Sequence, residues 1–464
     1  MGGGTVLPGF PQPNPTTSYW QLPPHRIANH RTTPSLPTST AFDYIVIGSG
    51  ISGAAVAFKL LSRDPSLKIL MLEARTAASG ASGRNGGHCR AGWWLNQRKY
   101  TESFGEDETL KFLKLEEQNG LDIANFVREH DVDCDFREVE TADAYVSDEE
   151  WNNVLLTLLA REDLRRRRPE AATLSERILW SGQEAKDHLG MPSIVGAVTW
   201  RAYTQNPYKL VCRMLELALD KGLNLQTTTP ALEVVPTTWQ GTSCRWEVKT
   251  DRGSVHTGHV IFATNAYSNA LLPGLSATGF LTPARSQVAA LRPGKNMTGS
   301  PALRGSAGIN DLNGNGDYYL TRLPGLKGEG DIVWGGGRFI SKEYGITDDS
   351  QVNPEIASYL HHAPAEFFGS DVWGEEGDVV RDWTGITCYT PDTFPLVGEV
   401  PDQAGIWMSV GMNGHGMGMA FRSAEALVEM VTTGEEPDWY PKLFRPSRAW
   451  EKKYSVAAND AASS

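Results

Sequence analysis

Three glycine-rich stretches carry the residues whose types and spacing could do chemistry. In the first, "DYIVIGSGISGAAVAFKLL", Gly48, Gly50 and Gly53 form G-x-G-x-x-G directly after an apolar run and at the head of a helical pattern. Gly48 permits a tight turn, Gly50 lets the backbone approach a pyrophosphate, and Gly53 lets helix and sheet pack closely. The unpaired N–H groups and partial positive charge of a helix N-terminus favour an anion there. Glu73 ends the next apolar run, "LKILMLEA", where a carboxylate can accept hydrogen bonds from an adenosine ribose. Strand, turn, helix, strand and acidic residue fall in register, which predicts dinucleotide binding without separating NAD from FAD.

The second stretch, "TAASGASGRNGGH", runs from Thr76 to His88 and follows that unit. It would emerge at the carboxyl end of a parallel sheet, where open α/β folds bind ligands. Its glycines would bring backbone amides close to a flat tricyclic ring. Arg84, Asn85 and His88 would supply donors to the ring's polar edges and positive charge beside its reduced form. The third stretch, "NGHGMG", precedes a long helical pattern, so its N–H groups could face an anionic ring edge. His415 belongs either to that site or to the core.

These loops need a frame. Tyr44–Ile47 and Lys68–Leu72 read as buried strands on either side of a helix from Ile51 to Leu61. Helical patterns cover residues 107–129 and 149–168, and the second ends in "REDLRRRR", a basic cluster suited to a helix C-terminus. "NPYKLVCRMLELALDKG" is a further helix, followed by strands in "ALEVV", "RWEVKT" and "HVIFATNAYS". Residues 281–370 are rich in glycine and proline, with short runs "SQVAAL", "DYYLTRL" and "DIVWGGGRF" that predict an antiparallel sheet. The α/β character returns with "GIWMSVG" and the helix "MAFRSAEALVEMV".

Composition bounds the function. Acidic residues outnumber basic ones by 55 to 43, for a net charge of −12, which argues against nucleic acid or an anionic membrane as partner. No apolar run approaches the length of a membrane span. The five cysteines are widely spaced, with no C-x-x-C pair and no zinc spacing, so no metal site is expected and a reduced, cytoplasmic setting is. No secretory signal or peroxisomal Ser-Lys-Leu ending is visible. Residues 1–40, rich in proline, threonine and serine, read as a disordered or surface-wrapping arm.

The run "GSGISG…MLEA…ASGASGRNGGH" resembles the D-amino-acid oxidase family of FAD-dependent oxidoreductases. It is most similar to the fungal members and to gamma-glutamylputrescine oxidase-type enzymes. "HVIFATNAYSNALLP", "TPARSQVAAL", "WTGITCYTPDTFPLVGEVP" and "GMNGHGMGMAFRSAEAL" extend the resemblance over nearly all of the chain after residue 41. It implies an α/β fold in which a Rossmann-like FAD-binding domain of the glutathione-reductase type is interleaved with an antiparallel-sheet substrate domain. The FAD-binding segments would be 41–110, 195–280 and 371–440. The cap would be 111–194 and 281–370, with a tail at 441–464.

The resemblance also implies residue roles. Gly48, Ser49, Gly50, Ile51, Ser52, Gly53, Glu73, Ala74 and Arg75 would hold the adenosine diphosphate half. Ser82, Arg84, Asn85, Gly86, Gly87 and His88 would line the ring. Val234 would contact the adenine side, and Ala263 and Thr264 would cross near the pyrophosphate. Gly414, His415, Gly416 and Met417 would cap the pyrimidine end. Cys388 lies downstream of the position where some relatives tether their flavin, near Gly385, so the FAD is expected to be non-covalent. Substrate contacts are expected from Tyr319, Arg322 and Arg338, where arginine could orient a carboxylate. His88, His415, Tyr319 and Arg338 are the catalytic candidates.

The chemistry implied is oxidation of a C–N bond in an amine or amino acid. A hydride passes to the flavin, and dioxygen is reduced to hydrogen peroxide. Oxidation of an alcohol or sugar-derived carbon in fungal secondary metabolism, an NAD-dependent dehydrogenase, a flavin hydroxylase and a non-catalytic FAD-binding protein remain alternatives. The substrate and the oligomeric state are not legible.

Overall fold

Two sheets share the chain, which crosses between them repeatedly. The computed structural model describes residues 9–239, 243–297, 305–310, 316–321, 330–374 and 378–451. In chain order the strands are β1 (Ala41–Ile47), β2 (Ile69–Leu72), β3 (His88–Cys89), β4 (Arg137–Tyr145), β5 (Ile178–Ser181), β6 (Gly196–Thr204), β7 (Asn224–Gln226), β8 (Ala231–Pro236) and β9 (Trp246–Thr250). They continue as β10 (Gly253–Phe262), β11 (Thr282–Leu291), β12 (Ser306–Asn310), β13 (Asp317–Thr321), β14 (Ile332–Gly335), β15 (Val379–Tyr389), β16 (Leu396–Glu399) and β17 (Ile406–Val410).

The first sheet runs β16-β17-β10-β1-β2-β7, with β9 and then β8 attached at β10. Strand β1 is parallel to both β2 and β10. Tyr44, Ile45, Val46 and Ile47 are all buried, because helices cover one face and further chain covers the other, so the strand reads as an unbroken apolar run. The helix Gly416–Thr433 packs between the helices Ile51–Arg63 and Glu106–Glu129. Phe126 stands edge-on to Phe58 at 5.2 Å and meets Phe421 at 5.6 Å.

The second sheet runs β15-β11-β14-β13-β12-β4-β6-β3, with β5 on β6. It is antiparallel except where β12 lies parallel to β4. Directly opposed residues share a face of a sheet. One row therefore crosses it through Val198, Asp143, Gly308, Tyr318, Gly335, Val288 and Trp383. That face is turned toward the first sheet. The other face carries Ala142, Ala144, Ala289, Ile309, Tyr319 and Trp334, packed with Ile356, Leu360 and Phe368 of the helix Pro354–Phe368.

Several expected boundaries move. A division at residue 110 would cut the helix Glu106–Glu129, which packs with the cofactor-side helices throughout. Strands β6 and β15, assigned by sequence to the FAD-binding segments, lie in the second sheet. Pairing between strands far apart in the chain decides membership, and no local pattern reports it. The tail is anchored, with Phe444 buried and Arg448 paired to Asp392 at 2.9 Å. The arm from residue 9 onward is laid over the body rather than lying free: Trp20 is buried and its Nε1 donates to the Asn85 carbonyl at 2.7 Å. Among the described residues no helix is long and apolar enough to cross a membrane.

Candidate active site

The first sheet turns into its helix through Gly48, at φ +102°. A Cβ on Gly53 would lie 2.0 Å from the Gly48 carbonyl oxygen, so only glycine permits this approach of helix to strand. Gly50 precedes the helix and offers no side-chain cap. Ser82 reaches in from the Thr76–His88 loop, and its Oγ accepts from Ile51 N at 2.8 Å. Loop and turn thus meet at the start of the helix, where Ser52 is also buried.

Glu73 lies behind them. One carboxylate oxygen accepts from Ser49 N at 3.0 Å and Ser49 Oγ at 2.6 Å, the other from Arg75 N at 2.9 Å. The oxygen that accepts from Arg75 N retains a lone pair for a further donor, and Ala74 links the two residues. Ala263 N donates to Ile47 O at 2.9 Å, bringing Ala263 and Thr264 beside Gly48. Val234 stands apart, in β8 opposite Val248.

The loop's polar side chains are not where the sequence suggests. Arg84 is buried, and it donates to Ser79 O at 2.7 Å, Thr384 O at 2.8 Å and Thr16 O at 2.6 Å. Asp349 lies 3.7 Å from it and pairs with Arg75 at 2.9 Å. Burial holds the Arg84 guanidinium down to about 10. The Asn85 amide donates to Ser82 O at 2.9 Å, and its oxygen accepts from Gly87 N at 2.8 Å. The expectation that Arg84 and Asn85 offer their side chains to a ring is corrected. A glycine-rich loop has little apolar area to hold its shape, so these groups hold it by local hydrogen bonds.

The ring-side surface begins at Gly86. A Cβ there would lie 2.3 Å from the Tyr318 ring, and one on Gly335 would lie 2.2 Å from it. Two missing side chains therefore form a slot for Tyr318. The His88 ring stands edge-on to Tyr318 at 5.5 Å. Both His88 ring nitrogens are buried without a partner. Burial, with Arg90 adding to it, pushes the imidazole down to about 3. His88 is thus neutral at working pH and cannot supply the positive charge expected of it. Burial pushes the Tyr318 phenol up to about 12, which keeps it a donor.

His415 precedes the helix Gly416–Thr433. Its Nδ1–H donates to the Asn413 carbonyl at 2.8 Å, so Nε2 carries a lone pair. A Cβ on Gly92 would lie 3.1 Å from Nε2. Burial lowers its pKa, opposed by the Asn413 bond and reinforced by Arg90 and Arg338. Gly414 and His415 are nonetheless exposed. Met417 is buried, and its carbonyl accepts from Asn119 Nδ2 at 3.0 Å and Cys89 Sγ at 3.3 Å.

Arg338 follows β14 and is half-buried. It donates to Ser286 Oγ at 3.3 Å and lies 5.2 Å over the Tyr389 ring. No described carboxylate pairs with it. Burial opposes its charge, but the phenols of Tyr389 and Tyr318 more than offset this and raise its pKa. Tyr319 is a correction. It stacks on Trp334 at 5.4 Å on the helix-covered face, because adjacent strand residues point to opposite faces. Tyr318 holds the position expected of it. Arg322 lies outside the described residues.

Sequence reasoning missed Tyr318, Tyr389, Arg90 and Asp143. Asp143 could have been suspected, since a carboxylate within "TADAYV" interrupts a buried strand. Among the described residues no group of side chains could hold a metal.

The residues present fit FAD. A glycine turn, a helix start without a side-chain cap from Gly50, a carboxylate at the next strand end and unpartnered His88 nitrogens lie along one path from the first sheet to the second. This combination of folds and loops defines a flavin-dependent oxidoreductase. Residues 43–430 match the family model described as FAD dependent oxidoreductase, and the chain belongs to that family. It is 22% identical over 405 residues to the probable oxidoreductase OrdL of Haemophilus influenzae, covering 85% of this chain and 84% of that protein. It is 23% identical over 429 residues to the gamma-glutamylputrescine oxidoreductase of Escherichia coli, covering 90% and 89%. Its fold matches the crystal structure of glycine oxidase from Geobacillus kaustophilus with a TM-score of 0.67 at 19% identity, covering 88% of this chain and 99% of that one.

Proposed function

We propose that this enzyme oxidises the C–N bond of a small amine or amino acid, hydride passing to flavin and dioxygen accepting the electrons as hydrogen peroxide. The observation that carries the reading is Arg338, a cation with no carboxylate partner among the described residues, set within electrostatic reach of Tyr318 and His415, with His88 against Tyr318. An unpaired guanidinium in a partly buried site calls for an anionic ligand. The relatives gamma-glutamylputrescine oxidoreductase and glycine oxidase, whose names concern a substituted amine and an amino acid, agree with it.

When bound, FAD supplies the two-electron acceptor. The chain's residues do the rest. The helix start at Gly50–Ser52 and Glu73 would hold the adenosine diphosphate half. The Gly86–Gly87 backbone and the Gly414–Met417 turn would hold the ring. Tyr318 and the neutral His88 provide one donor and one adaptable partner, and the His415 Nε2 lone pair can accept a proton or a hydrogen bond. The sheet and the arm exclude water. Cys388 is buried on the strand face opposite Gly385 and Tyr389, which supports non-covalent FAD.

Anaerobic mixing of the purified holoenzyme with amines, amino acids and polyols tests the reading. Bleaching of the flavin band near ~450 nm by an amine or amino acid, with peroxide released on admitting air, is expected. Bleaching by polyols alone would overturn it.

A further inference from the structure

Asp143 is the most buried charge on the cavity face of the second sheet, at 1% exposure. Its Oδ1 lies 2.9 Å from Arg90 Nη2 as an ion pair, yet neither of its buried oxygens has a hydrogen-bonding partner. Arg90 is itself fixed, donating to the Ala142 carbonyl at 2.9 Å and lying 5.4 Å over the Trp200 ring. The pair rests on Gly308, where a Cβ would lie 2.5 Å from Arg90 Nη2 and 2.9 Å from Asp143 Oδ1. A bare floor at that point is what lets the two charges meet above the sheet. Tyr145 follows two residues on, on the same face, with its buried hydroxyl also unpartnered.

A buried carboxylate oxygen without a donor is costly, and a carboxylate can only accept. What completes the site must therefore donate, and a protonated nitrogen does so with the added strength of opposite charge. The register separates Asp143 from Tyr318 by two strand spacings, with Gly308 between them, or roughly 10 Å. Tyr318 lies against His88 and Gly86, at the ring side, so Asp143 stands away from the bond being oxidised.

We propose that Asp143, oriented by Arg90, is a specificity-determining residue that receives a second, protonated nitrogen at the far end of an amine substrate. This rests on the amine-oxidation reading above, and it narrows the substrate class to amines or amino acids with a second basic nitrogen, Arg338 taking the anionic group where one is present. Arg90 neutralises part of the carboxylate's charge from the Oδ1 side and leaves the carboxylate short of a hydrogen-bond donor for a ligand to supply.

The test is calorimetric titration of the oxidised holoenzyme, kept anaerobic, with straight-chain four- and six-carbon diamines against monoamines of the same lengths. Wild type should bind at least one diamine tighter than its monoamine by roughly tenfold or more. Asp143→Asn should erase that advantage with flavin content unchanged, and Asp143→Glu should restore part of it. Gly308→Ala, which pushes the pair apart from below, should erase it by a separate route. Equal binding of diamines and monoamines by wild type overturns the proposal, as does a preference that survives both Asp143→Asn and Gly308→Ala. Flavin bleaching by amines with no diamine preference overturns this proposal and leaves amine oxidation standing. A diamine preference lost in Asp143→Asn, with no bleaching by any amine, supports the site and overturns the oxidation reading.

Discussion

The two sides of the cofactor path treat their polar groups in opposite ways. On the loop side, Arg84 meets three carbonyls and lies beside Asp349, Asn85 bonds its own loop, and Glu73 accepts from three donors. On the sheet side, among the described residues, Arg338 has no carboxylate partner, and both His88 nitrogens and both Asp143 oxygens lack hydrogen-bond partners. A satisfied network rigidifies a scaffold, whereas unsatisfied buried groups are retained where a ligand completes them. The difference teaches that the most polar loop in the sequence is mostly architecture, while an ordinary-looking sheet holds the polar groups left without partners.

The comparison can be broken or sharpened by substitution. The largest effect is expected from Gly53→Val, whose branched side chain has no room beside the Gly48 carbonyl. Purified protein should keep less than about a tenth of its flavin, read by absorbance, because the close approach cannot be relieved by a rotamer change. Arg84→Met comes next. It strands three carbonyls and leaves Asp349 with Arg75 alone, so stability should fall by about 3–5 kcal/mol in a denaturant melt. If Arg84→Met instead left stability intact and changed only turnover, the loop would be chemistry and the contrast would fail.

Arg338→Met should do the reverse. The Michaelis constant should rise by roughly ten- to a hundredfold, as the loss of a charge-assisted contact implies, while flavin content and melting temperature hold. Glu116 tests the support behind Arg90. Its carboxylate accepts from Gly92 N at 2.9 Å and Trp93 N at 2.8 Å, and burial pushes its pKa from 4.5 up to about 8 against those bonds. A raised carboxyl pKa means that its stability is full below 4.5 and is lost as pH rises through about 8. Glu116→Gln, which keeps an acceptor for both amides, should flatten the fall in melting temperature between about pH 5 and pH 8. The smallest effect belongs to Thr16→Ala in the arm. Thr16 Oγ1 accepts from Thr384 N at 3.0 Å and Arg84 Nη1 at 3.2 Å, and its loss should cost about 1 kcal/mol without altering kinetics.

The cofactor half was legible because its signals are local. A strand, a glycine turn, a helix and an acidic residue lie within Phe42–Glu73, and each element's geometry follows from its own few residues. The sheet was not legible in the same way. "DYYLTRL" shows two adjacent tyrosines, and nothing nearby says which one faces the cavity. Tyr318 does so because Gly308 and Gly335 oppose it in register, and both lie on strands that the chain brings in from elsewhere. Arg84 misled for a related reason: its partners Thr16, Thr384 and Asp349 are distant in sequence.

By itself, then, the order of residues determined the class of fold, the glycine turn and the glycine-rich loops that follow it, because turn geometry and hydrophobic periodicity act over a few neighbours. Only the tertiary structure decided which polar groups were already satisfied and which were left for a ligand. That depends on strand register and on contacts between segments hundreds of residues apart, where a shift of one position turns a side chain from the cavity into the core.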